Sequence, residues 1–234
     1  MLDYETICGF SVKIIPQKPD YLPISQEEFV QKTLEAWTYG DEKSKVSAVF
    51  RGGTREWAVL WKDDSYTVRG AIAYFANEEY QLKLVYDPIT PVRERLAIYG
   101  TDKVRLALLE RDESDEEVVK LIAKFGNTTV RHRLVQVMWD KPDILYQCVR
   151  YLPASDLEKL LAHPRMDIRV EAALHGNYDQ CRRALAMSSA SKDVLLFVMQ
   201  DDLFERMREL EEVDKAINFG KTITRKKQEM ELST

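Results

Sequence analysis

Apolar residues recur along this chain in short blocks that have the spacing of a helix face. Four nine-residue blocks are closely alike: Val68–Ala76, Val92–Gly100, Val118–Gly126 and Ile168–Gly176. Fainter copies begin at Val46, Ile144 (Ile144–Leu152) and Val194. Counted from the first Val or Ile, offset four is mostly apolar, offset five is mostly alanine, and offset seven is aromatic or histidine. Offsets zero, four and seven share one face of an α-helix, so each block predicts a helix of about two turns.

The residues after each block predict a second helix. Glycine at offset eight, as in Gly100 and Gly126, predicts a left-handed backbone that stops the first helix. Asn or Thr at offset nine, as in Asn77 and Thr101, is expected to cap the next helix by accepting a bond from a free N–H group. Apolar pairs at offsets sixteen and seventeen, such as Leu108–Leu109, predict the buried ridge of that helix.

The spacing of the blocks indicates stacked repeats. Successive blocks start 22 to 26 residues apart, and a single pair of short helices cannot bury its own apolar faces. The sequence therefore predicts an all-α fold, a right-handed α-solenoid of short HEAT-like helix pairs with capping segments at both ends. We expect a capping segment over 1–43, the repeats over 44–202, and a capping helix with a basic tail over 203–234.

The two ends of the chain depart from the repeat. The apolar stretch Ile7–Ile15 is expected to be β-like, and a helix is expected after Ser25, which has Glu28 three residues later. Apolar residues from Leu203 to Ile217 predict an amphipathic helix that either caps the stack or binds a partner. The basic residues that follow predict a disordered tail: Lys221, Arg225, Lys226 and Lys227.

Two of the repeats resemble the units of a known family. The pattern D-P-x-x-x-V-R-x-x-L-A-x-x-G over Asp87–Gly100 and the run HPRMDIRVEAALHGN over His163–Asn177 are similar to leucine-rich repeat variant units, which belong to the HEAT-like helical repeats. The resemblance implies a helical-repeat fold and says little about function. Members of that family that carry an iron–sulfur cluster hold it on a separate cysteine-rich segment. This sequence shows no such segment, so the resemblance implies no cofactor.

Composition narrows the classes of function. The net charge of −5 disfavours non-specific binding to nucleic acid. Cys8, Cys148 and Cys181 are far apart, so we expect neither a disulfide framework nor a zinc site, and reduced thiols indicate a cytoplasmic protein. The sequence also predicts no signal peptide and no membrane-spanning segment.

Arginines recur at two offsets of the repeat. Arg69, Arg93 and Arg169 stand at offset one, where we expect an internal ladder of ion pairs or, alternatively, a basic stripe. The acidic partners expected in the ladder are Asp63, Asp87 and Glu113. Arg105 and Arg131 stand at offset thirteen, where a partner-binding surface and a solvated face are both open. The candidate partner-binding residues are Arg105, Arg131, Arg133, Arg182 and Arg183.

Other candidate chemistry is sparse. Trp57 and Trp61 precede Asp63 and Asp64, a combination similar to the one that helical-repeat DNA glycosylases use. Tryptophans that seal an irregular end of the core are the favoured interpretation. His175 stands in the aromatic column and is expected to be buried or half-buried. Motifs for a catalytic nucleophile, a metal site or a phosphate-binding loop are missing from the sequence.

These observations favour a non-enzymatic protein-interaction module, a scaffold or adaptor that binds a protein partner on its repeat surface. The alternative is a nucleic-acid-binding or DNA base-repair protein that holds phosphates on an arginine-lined face. A third hypothesis is a protein that assembles with its own copies through an exposed end of the stack.

Overall fold

The computed structural model describes residues 4–19, 22–188 and 201–217. Over these residues it consists of one antiparallel β-hairpin, β1 (Tyr4–Ile7) with β2 (Phe10–Lys13), and a series of short helices. The first helices are α1 (Gln26–Thr38), α2 (Glu42–Arg51), α3 (Thr54–Leu60), α4 (Tyr66–Phe75), α5 (Glu78–Lys83), α6 (Thr90–Tyr99), α7 (Asp102–Glu110), α8 (Glu116–Phe125) and α9 (Thr128–Met138). The later helices are α10 (Pro142–Cys148), a 3-10 helix (Val149–Tyr151), α11 (Ala154–Leu160), α12 (Met166–Leu174), α13 (Tyr178–Ser188) and a helix over residues 201–217.

The contacts divide the chain into two compact units, Met1–Val137 and Met138–Thr234. In the first unit, α2, α4, α6 and α8 pack side by side in chain order, and we call these four helices the first-helix layer. Helices α3, α5 and α7 each contact the layer helix that precedes them. In the second unit, α12 contacts α10, α11 and α13. The all-α fold of helix pairs is confirmed, while the three predicted segments remain a prediction.

The repeat columns account for most of the core. In five of the copies the residues at offsets four and five are fully buried: Ile72, Leu96, Ile122, Cys148 and Ala172 at four, and Ala73, Ala97, Ala123, Val149 and Ala173 at five. In the fainter copy that begins at Val46, Phe50 and Arg51 are half-buried. The apolar pairs at offsets sixteen and seventeen are buried as well, from Leu84–Val85 to Leu160–Leu161. The side chain of Leu185 lies outside the described residues. One small and one larger apolar residue per repeat therefore let neighbouring helices approach closely.

The aromatic column at offset seven is a correction to the sequence analysis. Tyr99 is 47% exposed and Phe125 is 41% exposed, so the column borders solvent. His175 is also exposed, where its Nε2 lies 3.1 Å from an Oε1 of Glu171. Because neighbouring elements cover offsets zero, one, four and five, offset seven falls at the edge of the buried stripe.

Glycine at offset eight has a different role from the predicted one. Gly100 has φ −69° and ψ 165°, and Gly126 has φ −72° and ψ 153°, which is extended and not left-handed backbone. A Cβ at Gly100 would clash with the carbonyl oxygen of Leu96 and crowd Val104. Ala76 stands in the same column with φ −78° and ψ 164°. The column therefore needs a small side chain rather than glycine's backbone freedom.

The predicted caps of the second helices are confirmed. At offset nine the side chain accepts a bond from the backbone N–H three residues later, at 3.4 Å for Thr101 and 3.0 Å for Asn127. Asn77 and Asn177 make the equivalent bonds. Each cap satisfies a donor that the first turn of the helix leaves free.

The N-terminal hairpin is fastened to α2. The predicted strand Ile7–Ile15 is instead the end of β1, a two-residue turn and β2. Cys8 and Gly9, at the turn, have φ of 50° and 80°, as a tight hairpin requires. The backbone N–H of Lys13 donates to Ser47 Oγ at 2.7 Å, and Arg51 Nε donates to the Lys13 carbonyl at 3.0 Å. The outer edge of β2 is thus closed by α2.

The two predicted terminal helices are present. α1 begins after Ser25, whose Oγ accepts a bond from the Glu28 N–H at 3.0 Å, as predicted. Residues 201–217 are helical, with Leu203 buried but Phe204, Val213 and Ile217 exposed. Its role as a cap or as a partner-binding helix stays a prediction, and the basic tail from Lys221 lies outside the described residues.

Candidate interaction surface

A ladder of ion pairs runs through the first unit. Lys45 pairs with Asp63 18 residues later at 2.6 Å. Arg69 pairs with Asp87 at 2.5 Å, also 18 residues later, and this bond raises the pKa of the guanidinium. Arg93 pairs with Glu113 20 residues later at 2.6 Å. The predicted ladder is therefore confirmed for Arg69 and Arg93.

The ladder also fixes the turns between repeats. Each carboxylate of the ladder accepts a hydrogen bond from the backbone N–H two residues later. The Ile89 N–H, for example, donates to Asp87 Oδ1 at 2.9 Å. In the second unit His163 takes this position: its Nδ1 accepts from the Arg165 N–H, and its Nε2 lies 3.1 Å from the Trp139 carbonyl. A backbone N–H can only donate, so Nε2 carries the proton. Arg169 donates to the carbonyls of His163 and Pro164.

Trp57, Trp61 and the aspartates that follow them make contacts within the fold, and one of these contacts is an ion pair of the ladder. Trp57 Nε1 donates to the Val49 carbonyl at 2.9 Å, and its ring meets Tyr80 edge-on. Trp61 lines an open depression of about 360 Å³ together with Asp63 and Asp64. The Asp63 carboxylate is already held by Lys45 and by the Ser65 N–H. An aspartate engaged in this way is poorly placed to act as the base of a glycosylase-like site.

The offset-thirteen arginines bind carbonyls of their own chain. Arg105 is buried, and its Nε and Nη2 donate to the carbonyls of Ala97 and Ile98, both at 2.8 Å. Arg131 makes the same bonds to Ala123 and Lys124, at 2.8 and 3.1 Å. These carbonyls end a first helix and have no partner within it. Both guanidinium groups therefore cap helix ends.

Other residues at offset thirteen also donate a hydrogen bond to a carbonyl at the end of the first helix. Gln81 Nε2 donates to the Ala73 carbonyl at 3.0 Å, and the thiol of Cys181 donates to the Ala173 carbonyl at 3.0 Å. Burial raises the pKa of the Cys181 thiol, which keeps it protonated as a donor. The shared feature of the column is a hydrogen-bond donor and not a positive charge.

The remaining candidate arginines are on the surface. Arg133 is exposed, with Nη1 3.3 Å from Gln136. In the second unit, Arg182 is exposed 3.7 Å from Asp179, while Arg183 makes a two-pronged ion pair with Glu158. Arg131 and Arg133 both lie on α9, and Arg182 and Arg183 both lie on α13, but side chains one or two positions apart on a helix do not face each other. Partner binding by the five arginines stays a prediction.

Arg131→Ala is expected to lower the free energy of unfolding by about 1–2 kcal/mol, because two helix-end carbonyls lose their donor. Arg131→Gln should stay within about 0.5 kcal/mol of the native protein, since Gln81 makes the equivalent bond in its own repeat. Urea denaturation followed by circular dichroism measures both, with exposed Arg133→Ala as the matched control. Equal losses for Arg131→Ala and Arg133→Ala would contradict the capping role.

Aromatic rings that border solvent form a row across the first-helix layer. The half-buried Tyr74 on α4 packs at a tilt against the exposed Tyr99 on α6, with ring centroids 4.1 Å apart. Phe125 holds the position of Tyr99 one repeat later, on the adjacent helix α8. We call Tyr74, Tyr99 and Phe125 the aromatic row. At its other end Phe10 of the hairpin packs edge-on against Tyr74, with centroids 6.2 Å apart.

The hairpin turn is tied to this row. The Tyr74 hydroxyl donates to the Sγ of Cys8 at 2.7 Å. This bond and then burial raise the pKa of Tyr74 to about 12. Tyr99 and Phe125 belong to the offset-seven column, which the helical period places on one face with offsets zero and four. Tyr74, one residue earlier in its repeat, was missed because its neighbours in that column are not aromatic.

Cys8→Ala is expected to lower the pKa of Tyr74 from about 12 toward the ordinary 10.0. Because the folded pKa exceeds the unfolded one, the stabilisation from this tyrosine is complete below the unfolded pKa and is lost as pH rises through about 12. A tyrosinate absorbance titration, with Tyr74→Phe subtracted to isolate this residue, measures the change. Tyr86→Phe, which removes an exposed tyrosine, is the control. An unchanged titration in Cys8→Ala would contradict the hydrogen bond.

No helix among the described residues is long and apolar enough to cross a membrane. Within the same described ranges, no group of three or more His, Cys, Asp or Glu side chains is placed to hold a metal ion.

Comparison with known proteins supports the fold. No protein-family model matches the sequence, and no curated protein matches it. A solved structure described as a leucine-rich repeat variant with a novel repetitive protein structural motif is similar, with a TM-score of 0.52 and 22% identity. The similarity covers 79% of this chain and 77% of that one. The resemblance seen in Asp87–Gly100 and His163–Asn177 is thereby confirmed as a resemblance of fold.

Proposed function

We propose that this chain is a non-enzymatic protein-binding module, a scaffold or adaptor, that holds its partner on the aromatic row. The observation that carries the proposal is the exposure of Tyr99 and Phe125 at equivalent positions of adjacent repeats. Aromatic side chains are enriched at protein interfaces because they bury a large area at a small entropic cost. The expected cytoplasmic location is part of the same proposal.

The row is supported by a rigid scaffold. Its helices bury Leu96 and Ile122 completely, and their C-terminal carbonyls are held by Arg105 and Arg131. Stacked repeats of this kind offer a continuous surface to an extended partner. Side chains fixed on such a surface lose little further freedom when a partner binds.

The nucleic-acid alternative gains no support from these contacts. Arg105 and Arg131 use their donors on carbonyls of their own chain. The net charge of −5 also opposes a polyanion. Nuclease treatment in the capture experiment described next distinguishes protein binding from nucleic-acid binding.

Affinity capture with matched variants tests the proposal. The native chain, Tyr99→Ala/Phe125→Ala, and the control Tyr39→Ala/Tyr86→Ala, whose tyrosines are exposed elsewhere, are compared by quantitative mass spectrometry with and without nuclease. We expect a protein that the native chain and the control retain and the row variant loses by about tenfold or more. Equal retention by all three chains, or loss of every ligand after nuclease treatment, would overturn the proposal.

A further inference from the structure

We infer that the partner segment that binds the aromatic row is acidic as well as apolar, with its carboxylates received by Arg95 and Lys124. The inference rests on the proposed function and names the partner class for the same surface. It is carried by two cations beside the row that have no carboxylate partner among the described residues.

Arg95 lies on α6, one turn before Tyr99. Its guanidinium lies 5.0 Å from the centre of the Phe10 ring. The Nη1 atom is buried and makes no hydrogen bond to any described residue. A carboxylate from outside cannot reach this buried atom, but it can meet the half-buried guanidinium through its Nε and Nη2 atoms, which make no hydrogen bond to a described residue. Charge-assisted bonds of this kind are among the strong ones.

Gly70 makes room for this guanidinium. A Cβ at Gly70 on α4 would overlap the Nη1 atom of Arg95. Glycine in the middle of a helix costs about 1 kcal/mol relative to alanine. The glycine at position 70 therefore destabilises α4 but leaves the space that the Arg95 guanidinium occupies. We infer that the placement of Arg95 matters more at this position than the stability of the helix.

Lys124 is the second cation. Its ammonium lies 5.3 Å from the centre of the Phe125 ring, at the far end of the aromatic row. Neither hydrogen bonds nor ion pairs from its side chain to other described residues are present in the structure. Like Arg95, it is held only against an aromatic ring that belongs to, or adjoins, the row.

The surrounding charges set these two cations apart. Lys120, one turn before Lys124, is already paired with Glu117 at 3.3 Å. Glu94 is the carboxylate next to Arg95 in the sequence. Among the ion pairs of the described residues, none joins these two side chains. Arg95 and Lys124 are thus cations beside the row without a carboxylate partner among the described residues, on a chain whose net charge is −5. Charge complementarity therefore favours an acidic partner.

The aromatic rings favour a peptide over a uniform polyanion. Tyr99 and Phe125 need apolar contacts, which a segment with acidic and aromatic side chains supplies. A polysaccharide or nucleic-acid backbone of high negative charge density would be repelled by the acidic side chains of the rest of this chain. The occupant we commit to is thus an acidic, aromatic-containing peptide segment.

The binding test uses polymers of defined composition. Fluorescence anisotropy of a labelled random copolymer of glutamate and tyrosine is measured against polyglutamate and heparin. We expect the copolymer to bind more tightly than either polyanion, with an affinity that falls as salt is added. Failure of the copolymer to bind, or equal binding of heparin, would overturn the inference.

Matched variants locate the binding. Arg95→Gln/Lys124→Gln should weaken copolymer binding by about tenfold or more, while Lys62→Gln/Lys103→Gln, which removes two exposed lysines elsewhere, should change it by less than about twofold. Arg95→Lys/Lys124→Arg keeps both charges and should bind nearly as the native chain does. Equal effects of the first two variants would place the charge effect elsewhere and overturn the inference.

Gly70→Ala gives a test that leaves every charge in place. The new methyl group should displace the Arg95 guanidinium and weaken copolymer binding, while thermal stability is unchanged or slightly raised by the better helix former. Unchanged binding in Gly70→Ala would contradict the role of the Arg95 position.

Failure of the inference and of the proposed function can be told apart. If the row variant Tyr99→Ala/Phe125→Ala loses a captured protein but Arg95→Gln/Lys124→Gln keeps it, the protein-binding function stands and the acidic partner class is wrong. If neither variant loses a captured protein, the proposed function itself is overturned.

Discussion

Glu113→Ala is expected to lower the free energy of unfolding by about 3–5 kcal/mol, because it leaves the Arg93 guanidinium buried without its carboxylate. The side chains of Arg93 and Glu113 are only 9% and 3% exposed. The substitution also removes the acceptor for the backbone N–H groups of Ser114 and Asp115. Urea denaturation followed by far-ultraviolet circular dichroism measures the loss.

Two further variants decide whether burial causes the effect. Lys103→Ala breaks the Lys103–Glu78 pair, in which the lysine is 68% exposed, and should cost less than about 1 kcal/mol. Arg93→Met/Glu113→Leu removes both charges and should recover much of the loss. If Glu113→Ala costs no more than Lys103→Ala, the ladder is not the structural element described above.

The ladder illustrates what the sequence could predict. Arg69 and Arg93 share an offset, and acidic residues follow each of them at similar distances, so regular stacking brings each pair together. The caps at Asn77 and Thr101 were predictable for a similar reason, because a cap and its helix are adjacent in sequence. Features that repeat, or that depend on near neighbours, are encoded locally.

The sequence predictions were wrong where the outcome depends on which side of a helix its neighbours cover. The period of 3.6 residues places offset seven near offsets zero and four, but it does not say where the covering helix lies. Tyr99 and Phe125 fall just outside the covered stripe, although the helical period places them on one face with the buried offsets zero and four. The backbone of Gly100 was also predicted wrongly, because a glycine after a helix fits a left-handed stop and an extended residue without room for a Cβ equally well.

The residues at offset thirteen share hydrogen-bond donors, and the positive charge of two of them drew attention away from this feature. Arg105 and Arg131 suggested a basic surface, whereas Gln81 and Cys181 stand at the same offset and carry no positive charge. The four side chains share the ability to donate a hydrogen bond, and all four donate to a helix-end carbonyl. The chemistry common to a column is thus a better guide than its most conspicuous members.

One of the weaker repeats supports the same conclusion, because it lacks the shared residues. In the unit that begins at Ile144, Leu157 replaces the donor, Pro153 replaces the capping residue and Leu152 replaces the small residue. Its first helix, α10, stops at Cys148 and continues as a 3-10 helix over Val149–Tyr151. A 3-10 turn is frequent at the end of an α-helix, and here it occurs in the repeat that lacks the donor, the capping residue and the small residue together.

Leu96→Ala is expected to cost about 3–4 kcal/mol, because Leu96 is fully buried at offset four of α6, between α4 and α8. The loss combines the transfer of the missing methyl groups with a cavity that the surrounding layer can only partly close. Leu96→Met keeps the volume and should cost less than about 1.5 kcal/mol. Urea denaturation measures both variants.

The same substitution also separates stability from binding. Leu96 contributes to the helix that carries Arg95 and Tyr99, but it is fully buried and cannot touch a partner. Under conditions where the folded form still predominates, Leu96→Ala should therefore bind the glutamate–tyrosine copolymer almost as the native chain does. The exposed-residue control Val59→Ala should cost less than about 1 kcal/mol. If Leu96→Ala costs no more than this control, the offset-four column is not the core of the repeat, and the rigid support assumed for the aromatic row is missing.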